Sequence, residues 1–187
     1  MTLLALLRHA DTAWSEEGRI QGRSDQPLSE TGRMALNREL PAACRGMRLI
    51  TSPLRRCVET AALLGAPDAV REPRLAEMSW GAWEGRKLEE LRAELGDEMR
   101  ENEARGLDFR PAGGESPREV LVRVGEWLRE ISEPTLAITH RGVIRAVLVA
   151  ATGWDMRGKP PAKLDWNACH LFQVEDGKAR VDRLNVR

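Results

Sequence analysis

The chain has 187 residues, with 29 Lys and Arg against 29 Asp and Glu, so its formal net charge is zero and no overall charge attracts nucleic acid or an anionic membrane. Its three cysteines, Cys44, Cys57 and Cys169, are odd in number and form no CxxC pair, and no apolar run approaches the roughly 20 residues that span a bilayer. The reading is one soluble domain over residues 1–187, in a reducing cytoplasm, with any anion binding confined to a local site.

Taken in chain order, residues 3–7 form a short apolar, turn-bounded run that reads as a buried strand, followed by a loop over 10–28. Ser29 and Thr31 open a helical pattern over 29–44. Residues 48–51 read as a second strand, and Ser52-Pro53 opens a helix through Leu64, with proline in its first turn. A charged helix is expected over 86–105, a loop over 106–115, and a helix over 116–131 after Ser116-Pro117. A strand at 135–139, a helix at 141–152 and a terminal hairpin over 168–186, turning at Asp176-Gly177, complete the chain. Strands alternating with helices predict an α/β fold: three αβα layers around a mostly parallel central sheet.

In such sheets ligands gather beyond the carboxyl ends of the strands. Two of these ends deliver Arg8-His9 and Thr139-His140, and the helix after Ser52 carries Arg55 and Arg56 in its first turn. Guanidinium groups bind phosphate through a planar fork, a neutral imidazole can attack phosphorus, and a second, protonated imidazole can neutralise the equatorial oxygens. That combination suits phosphoryl transfer through a phosphohistidine. From spacing alone, hydrogen-bonded structural histidines are an equal alternative. His170, inside a predicted strand, reads as structural, and the HxH and HExxH spacings of a metal site are absent.

Six segments carry a resemblance: "LLRHADT", "IQGRSDQPLSETGRMA", "TSPLRRCVETA", "LAEMSWGAWEGR", "PAGGESPREVLVRV" and "AITHRGVIRAVL". They lie collinearly from residue 3 to about 149 and resemble, block by block, the histidine phosphatase superfamily, which includes the cofactor-dependent phosphoglycerate mutases. The resemblance implies a phosphoglycerate mutase-like fold. It also implies His9 as nucleophile, Arg8 and Arg56 as phosphate ligands, His140 as the second phosphate-binding histidine, and Glu77 as the acid that protonates the leaving oxygen. Ser15 and Gly22 fall among its substrate-binding positions, while Arg55 is a solvated neighbour and Glu84 and Glu115 are structural acids. Glu77 in that role needs a partly desolvated pocket that favours its protonated form, for which Met78, Trp80 and Trp83 offer a wall. His9 needs its Nδ1–H on a backbone carbonyl, so that Nε2 keeps its lone pair.

The chain departs from the family pattern at Ala10, Asp11, Ser15 and Arg141. Ser15 stands where many members carry an asparagine that touches phosphate, and Arg141 stands where glycine is common. The short stretch between Glu77 and "PAGGES" favours a phosphomonoesterase over a phosphoglycerate mutase-type phosphotransferase. Retention of the nucleophile, arginines and acid favours an enzyme over a noncatalytic phosphate-binding module. Among phosphatases the pattern is most similar to those acting on α-ribazole 5′-phosphate. The expected partner is a small phosphorylated metabolite, with no cofactor, metal, nucleic acid or membrane.

Overall fold

A computed structural model describes residues 1–37 and 39–187. Six strands form one sheet in the order β3-β2-β4-β1-β5-β6. Parallel pairing joins β1 (Thr2–Arg8), β2 (Arg48–Thr51), β3 (Val70–Arg71) and β4 (Thr135–Thr139), while β5 (Cys169–Glu175) and β6 (Lys178–Val186) add an antiparallel edge. Period-two alternation decides which helices each strand meets. Leu4, Leu6, Ile50, Ala137 and Phe172 share a core with Val124 of helix α6 (Pro117–Leu128) and Ile144 and Val147 of α7 (Arg141–Thr152). Ala5, Leu7, Leu136 and Ile138 face the other layer, where Cys57 and Ala61 of α3 (Arg55–Leu63) and Cys44 are buried. The αβα layering and mostly parallel sheet match the expected fold.

Helix α6 starts and helix α7 stops where the capping chemistry says. Ser116 and Glu119 form a capping box with Pro117 in the first turn, and α7 stops at Gly153, whose φ of 72° is left-handed. The hairpin turns through Asp176 and Gly177, both with positive φ, as a tight two-residue connection requires.

Three boundaries correct the sequence reading. The helix expected over 29–44 runs only as α2 (Glu30–Ala35), followed by a 3-10 turn at Ala42–Cys44. Asn37 turns its side chain onto the Glu39 N–H, and Pro41 keeps Leu40 out of helical geometry; Arg38, inside that prediction, lies outside the described residues. The helix expected over 86–105 is two, α4 (Leu88–Leu95) and α5 (Asp97–Glu103), broken at Gly96 with φ 50° and ψ −116°. Helix α3 begins at Arg55, because Leu54 stays extended and its N–H meets the Ser52 hydroxyl. The loop 10–28 also holds a one-turn helix, α1 (Ala13–Glu16), and no helix among the described residues is long and apolar enough to cross a membrane.

Candidate active site

Sheet register brings three strand ends together. Arg8 lies opposite Thr139 and Thr51 opposite Ile138, so the residues that follow, His9, His140 and Ser52, emerge side by side, tied by the His9 N–H on Thr139 O (3.0 Å) and the Ser52 N–H on Ile138 O (2.9 Å). The His9 and His140 rings sit 5.2 Å apart, tilted by 58°. The expected tautomer of His9 is present. Its Nδ1–H donates to Ala10 O at 2.7 Å, leaving the Nε2 lone pair free, and burial, then Arg8 and Arg56, hold its pKa well below the ordinary value.

His140 departs from the expected protonated imidazole. Arg56 Nε–H donates to its Nδ1 (3.3 Å), which places the ring proton on Nε2, 2.7 Å from the Ser52 hydroxyl. Burial, followed by the charge of Arg56, keeps it neutral, because a further cation beside that guanidinium is unfavourable.

Arg56 is fully buried, and three of its five N–H donors have protein partners, Nε–H on His140 among them. Nη1 and Nη2 donate to Ser24 O (3.0 Å) and Gly22 O (2.8 Å). These carbonyls converge because the loop wraps around the Glu84 carboxylate, which accepts from Arg23 N, Ser24 N and Ser24 Oγ at 2.6–2.8 Å. Gly22 is required there: its φ is +51°, and a Cβ would lie 2.0 Å from Glu84 Oε1. Gly22, expected among the substrate-binding residues, thus lines the cleft but commits its carbonyl to Arg56.

Ser15, expected among the substrate-binding residues, also lines the cleft. Its hydroxyl donates to Asp11 Oδ1 (2.9 Å) and accepts the Thr12 N–H (2.9 Å) in the capping box of α1, so it braces the Asp11 that holds Arg8 Nη2 at 2.9 Å. Glu77 is half-buried at the start of α7. It accepts N–H bonds from Met78 (2.8 Å) and Gly142 (3.1 Å), and a Cβ on Gly142 would come within 2.2 Å of Oε1. Met78 and Trp80 line the cleft beside it, whereas Trp83 packs away, against Leu91 and Met99. Glu115 holds Arg123 and Ser79 N, a structural part like that of Glu84. His170 is buried in β5, where Nδ1 accepts from the Asn185 N–H.

Three contributors escape the sequence reading. Ser52 fixes His140, Thr60 Oγ1 accepts the Ala10 N–H at 3.0 Å, and Cys57 places its sulfur 3.4 Å from His140 Nε2. Thr60 stands four residues after Arg56, the one helical turn that could have flagged it.

Fold and site together define an α/β protein with a buried histidine–arginine pocket at the carboxyl ends of parallel strands. Residues 4–187 match the profile of the histidine phosphatase superfamily (branch 1), and the chain belongs to that superfamily. It is 30% identical over 199 residues to phosphoserine phosphatase 1 of Hydrogenobacter thermophilus, covering 100% of this chain and 93% of that one. It is also 30% identical to 2,3-bisphosphoglycerate-dependent phosphoglycerate mutase 2 of Gloeobacter violaceus, over 80% of this chain and 75% of that one. The fold superposes with a TM-score of 0.80 on a mycobacterial glucosyl-3-phosphoglycerate phosphatase solved with VO3, 27% identical, with both chains fully covered.

Proposed function

We propose that this protein hydrolyses small phosphorylated metabolites through a phosphohistidine on His9. The carrying observation is the neutral His9, its Nδ1–H on Ala10 O and its Nε2 free, in a pocket with Arg8, Arg56 and His140. In this reading Nε2 attacks phosphorus while the two guanidiniums and His140 hold the equatorial oxygens. Glu77 gives its proton to the leaving oxygen as the P–O bond breaks. Glu77, now a carboxylate, takes a proton from the water that attacks the phosphohistidine, releasing inorganic phosphate and restoring His9. Positive charge comes from guanidinium and imidazole, so activity is expected to persist in EDTA; loss in EDTA restored by a divalent cation would overturn that point.

Hydrolysis is favoured over mutase chemistry because the segment between Glu77 and Glu115 is compact, holding only α4, α5 and two 3-10 turns, Gly81–Trp83 and Gly106–Asp108, beside a cleft of about 700 Å³. Two kinds of substrate remain in view. The sequence resemblance suggests α-ribazole 5′-phosphate, and relatives are named for phosphoserine and glucosyl-3-phosphoglycerate. The test is turnover of p-nitrophenyl phosphate with trapping of an acid-labile, alkali-stable phosphoenzyme. Turnover without any such intermediate would overturn the mechanism.

A further inference from the structure

Six arginines line the cleft: Arg8, Arg19, Arg56, Arg92, Arg141 and Arg145. Four have protein partners. Arg8 pairs with Asp11, Arg19 with Glu17 and Arg92 with Glu103, and Arg56 is held by carbonyls and His140. Arg141 and Arg145 have none: among the described residues, no acceptor lies within hydrogen-bonding or ion-pairing distance of either guanidinium.

Their geometry is nevertheless fixed. The two stand four residues apart on α7, hence on one face, and both guanidiniums lie over the Trp166 ring, at 5.1 and 5.4 Å from its centroid. Stacking uses the face of a guanidinium and leaves its in-plane N–H donors free. Like charges one helical turn apart repel. Desolvation first, then the charges of Arg8 and Arg145, bring the pKa of Arg141 down to about 10. A bound anion would relieve that repulsion and use the idle donors.

Space for such an anion exists beyond the phosphate pocket. A second hollow of about 630 Å³ shares Arg8, Ser15 and Arg141 with the cleft and is lined by Trp166. Its carboxylates are already engaged: Asp11 with Arg8, Glu16 with Ser29 and Thr31, and Asp165 with Arg187.

We infer that Arg141 and Arg145, stacked on Trp166, form a distal anion subsite that selects phosphomonoesters carrying a second anionic group, a carboxylate or a second phosphate. This rests on the proposed phosphomonoesterase reading and sharpens it. α-Ribazole 5′-phosphate has no anion beyond its ester phosphate, so the subsite argues against it and for phosphorylated acids or bisphosphates.

The test compares matched pairs: 3-phosphoglycerate with glycerol 3-phosphate for a carboxylate, and fructose 1,6-bisphosphate with fructose 6-phosphate for a phosphate. The wild-type protein is expected to favour the doubly anionic member of at least one pair, and the pair identifies the anion. Arg145→Gln and Arg141→Gln should each reduce that kcat/KM ratio by about 10–100-fold, the usual worth of a charge-assisted hydrogen bond, with partial recovery in Arg145→Lys. No wild-type preference, or equal losses on both members of a pair, would overturn the subsite and leave these arginines as ligands of the ester phosphate or as structural groups. Calorimetry on His9→Ala, which needs no turnover, separates the two proposals. Preferential binding of 3-phosphoglycerate or fructose 1,6-bisphosphate that disappears with Arg145→Gln supports the subsite even if hydrolysis fails. Equal binding within both pairs sinks the subsite even if hydrolysis holds.

Discussion

At the inner end of the cleft Arg8, His9, Arg56 and His140 are all at most 5% exposed, and strand ends, a helix start or buried partners fix each of them. At the mouth, residues 88–109 and 153–167 are short helices and turns stitched by exposed pairs such as Arg92 with Glu103 and Arg118 with Asp108, contacts that add little stability. The inner groups are interlocked, so a change in one disturbs several others, while the exposed positions of the mouth, outside the buried Leu91 and Met99, can vary with small consequences for the fold. In the proposed reading chemistry and selectivity are separated in space: the inner end handles the phosphoryl group, and the outer wall decides what carries it.

The sharpest attempt to break this division is His9→Ala. It should lower turnover by on the order of 10⁴-fold or more and abolish acid-labile phosphate, with an unchanged circular dichroism spectrum. Labelled phosphoenzyme in that variant would place the nucleophile elsewhere. Next is Glu77→Gln, which should slow an alkyl phosphate by roughly 10²–10⁴-fold and p-nitrophenyl phosphate far less, because only an alkoxide needs a proton to leave. Equal losses on the two would make Glu77 a positioning group.

Gly142→Ala sharpens the same point from the backbone. Its Cβ would meet Glu77 Oε1, so the carboxylate must move, with a loss on alkyl phosphates of about 10–10²-fold and little change on p-nitrophenyl phosphate. Unaltered alkyl turnover would mean that the start of α7 does not fix the acid.

The smallest effect concerns stability. The folded state keeps His9, His140 and His170 neutral, with pKa values below the ordinary 6.5, whereas the unfolded chain takes up protons there. The unfolded state then binds more protons, so stability falls as pH drops below about 6.5, by up to about 1.4 kcal/mol per pH unit for each such group. Urea midpoints at pH 7, 6 and 5 measure this loss. A flat profile would show that the buried imidazoles are not held neutral.

The inner end was legible in the sequence because its residues sit at strand ends and helix starts, positions that apolar runs and Ser-Pro pairs mark. The strands at 48–51 and 135–139 and the helix at 141–152 coincide with β2, β4 and α7. The mouth was not legible to the same degree. Nothing local in the run 86–105 announces that Gly96 turns the chain, because an isolated glycine fits a helical pattern. Ser15 and Gly22, substrate-binding positions by resemblance, both line the cleft, but the contacts of the Ser15 hydroxyl with Asp11 and of the Gly22 carbonyl with Arg56 are tertiary and carry no local signal. The stacking of Arg141 and Arg145 on Trp166 joins residues more than twenty positions apart, beyond any sequence period.

Cys57 lies behind His140, its thiol donating to Thr139 O, fully buried and held protonated by desolvation. A thiol so placed reacts with a disulfide reagent only when the pocket opens, which makes its modification rate a clock for that opening. Cys44 and Cys169, buried in a separate cluster with Ala5, Leu7 and Leu171, keep separate time. Added vanadate should therefore slow the Cys57 clock while leaving the other two running, reporting occupancy of the pocket in a protein that has turned over nothing.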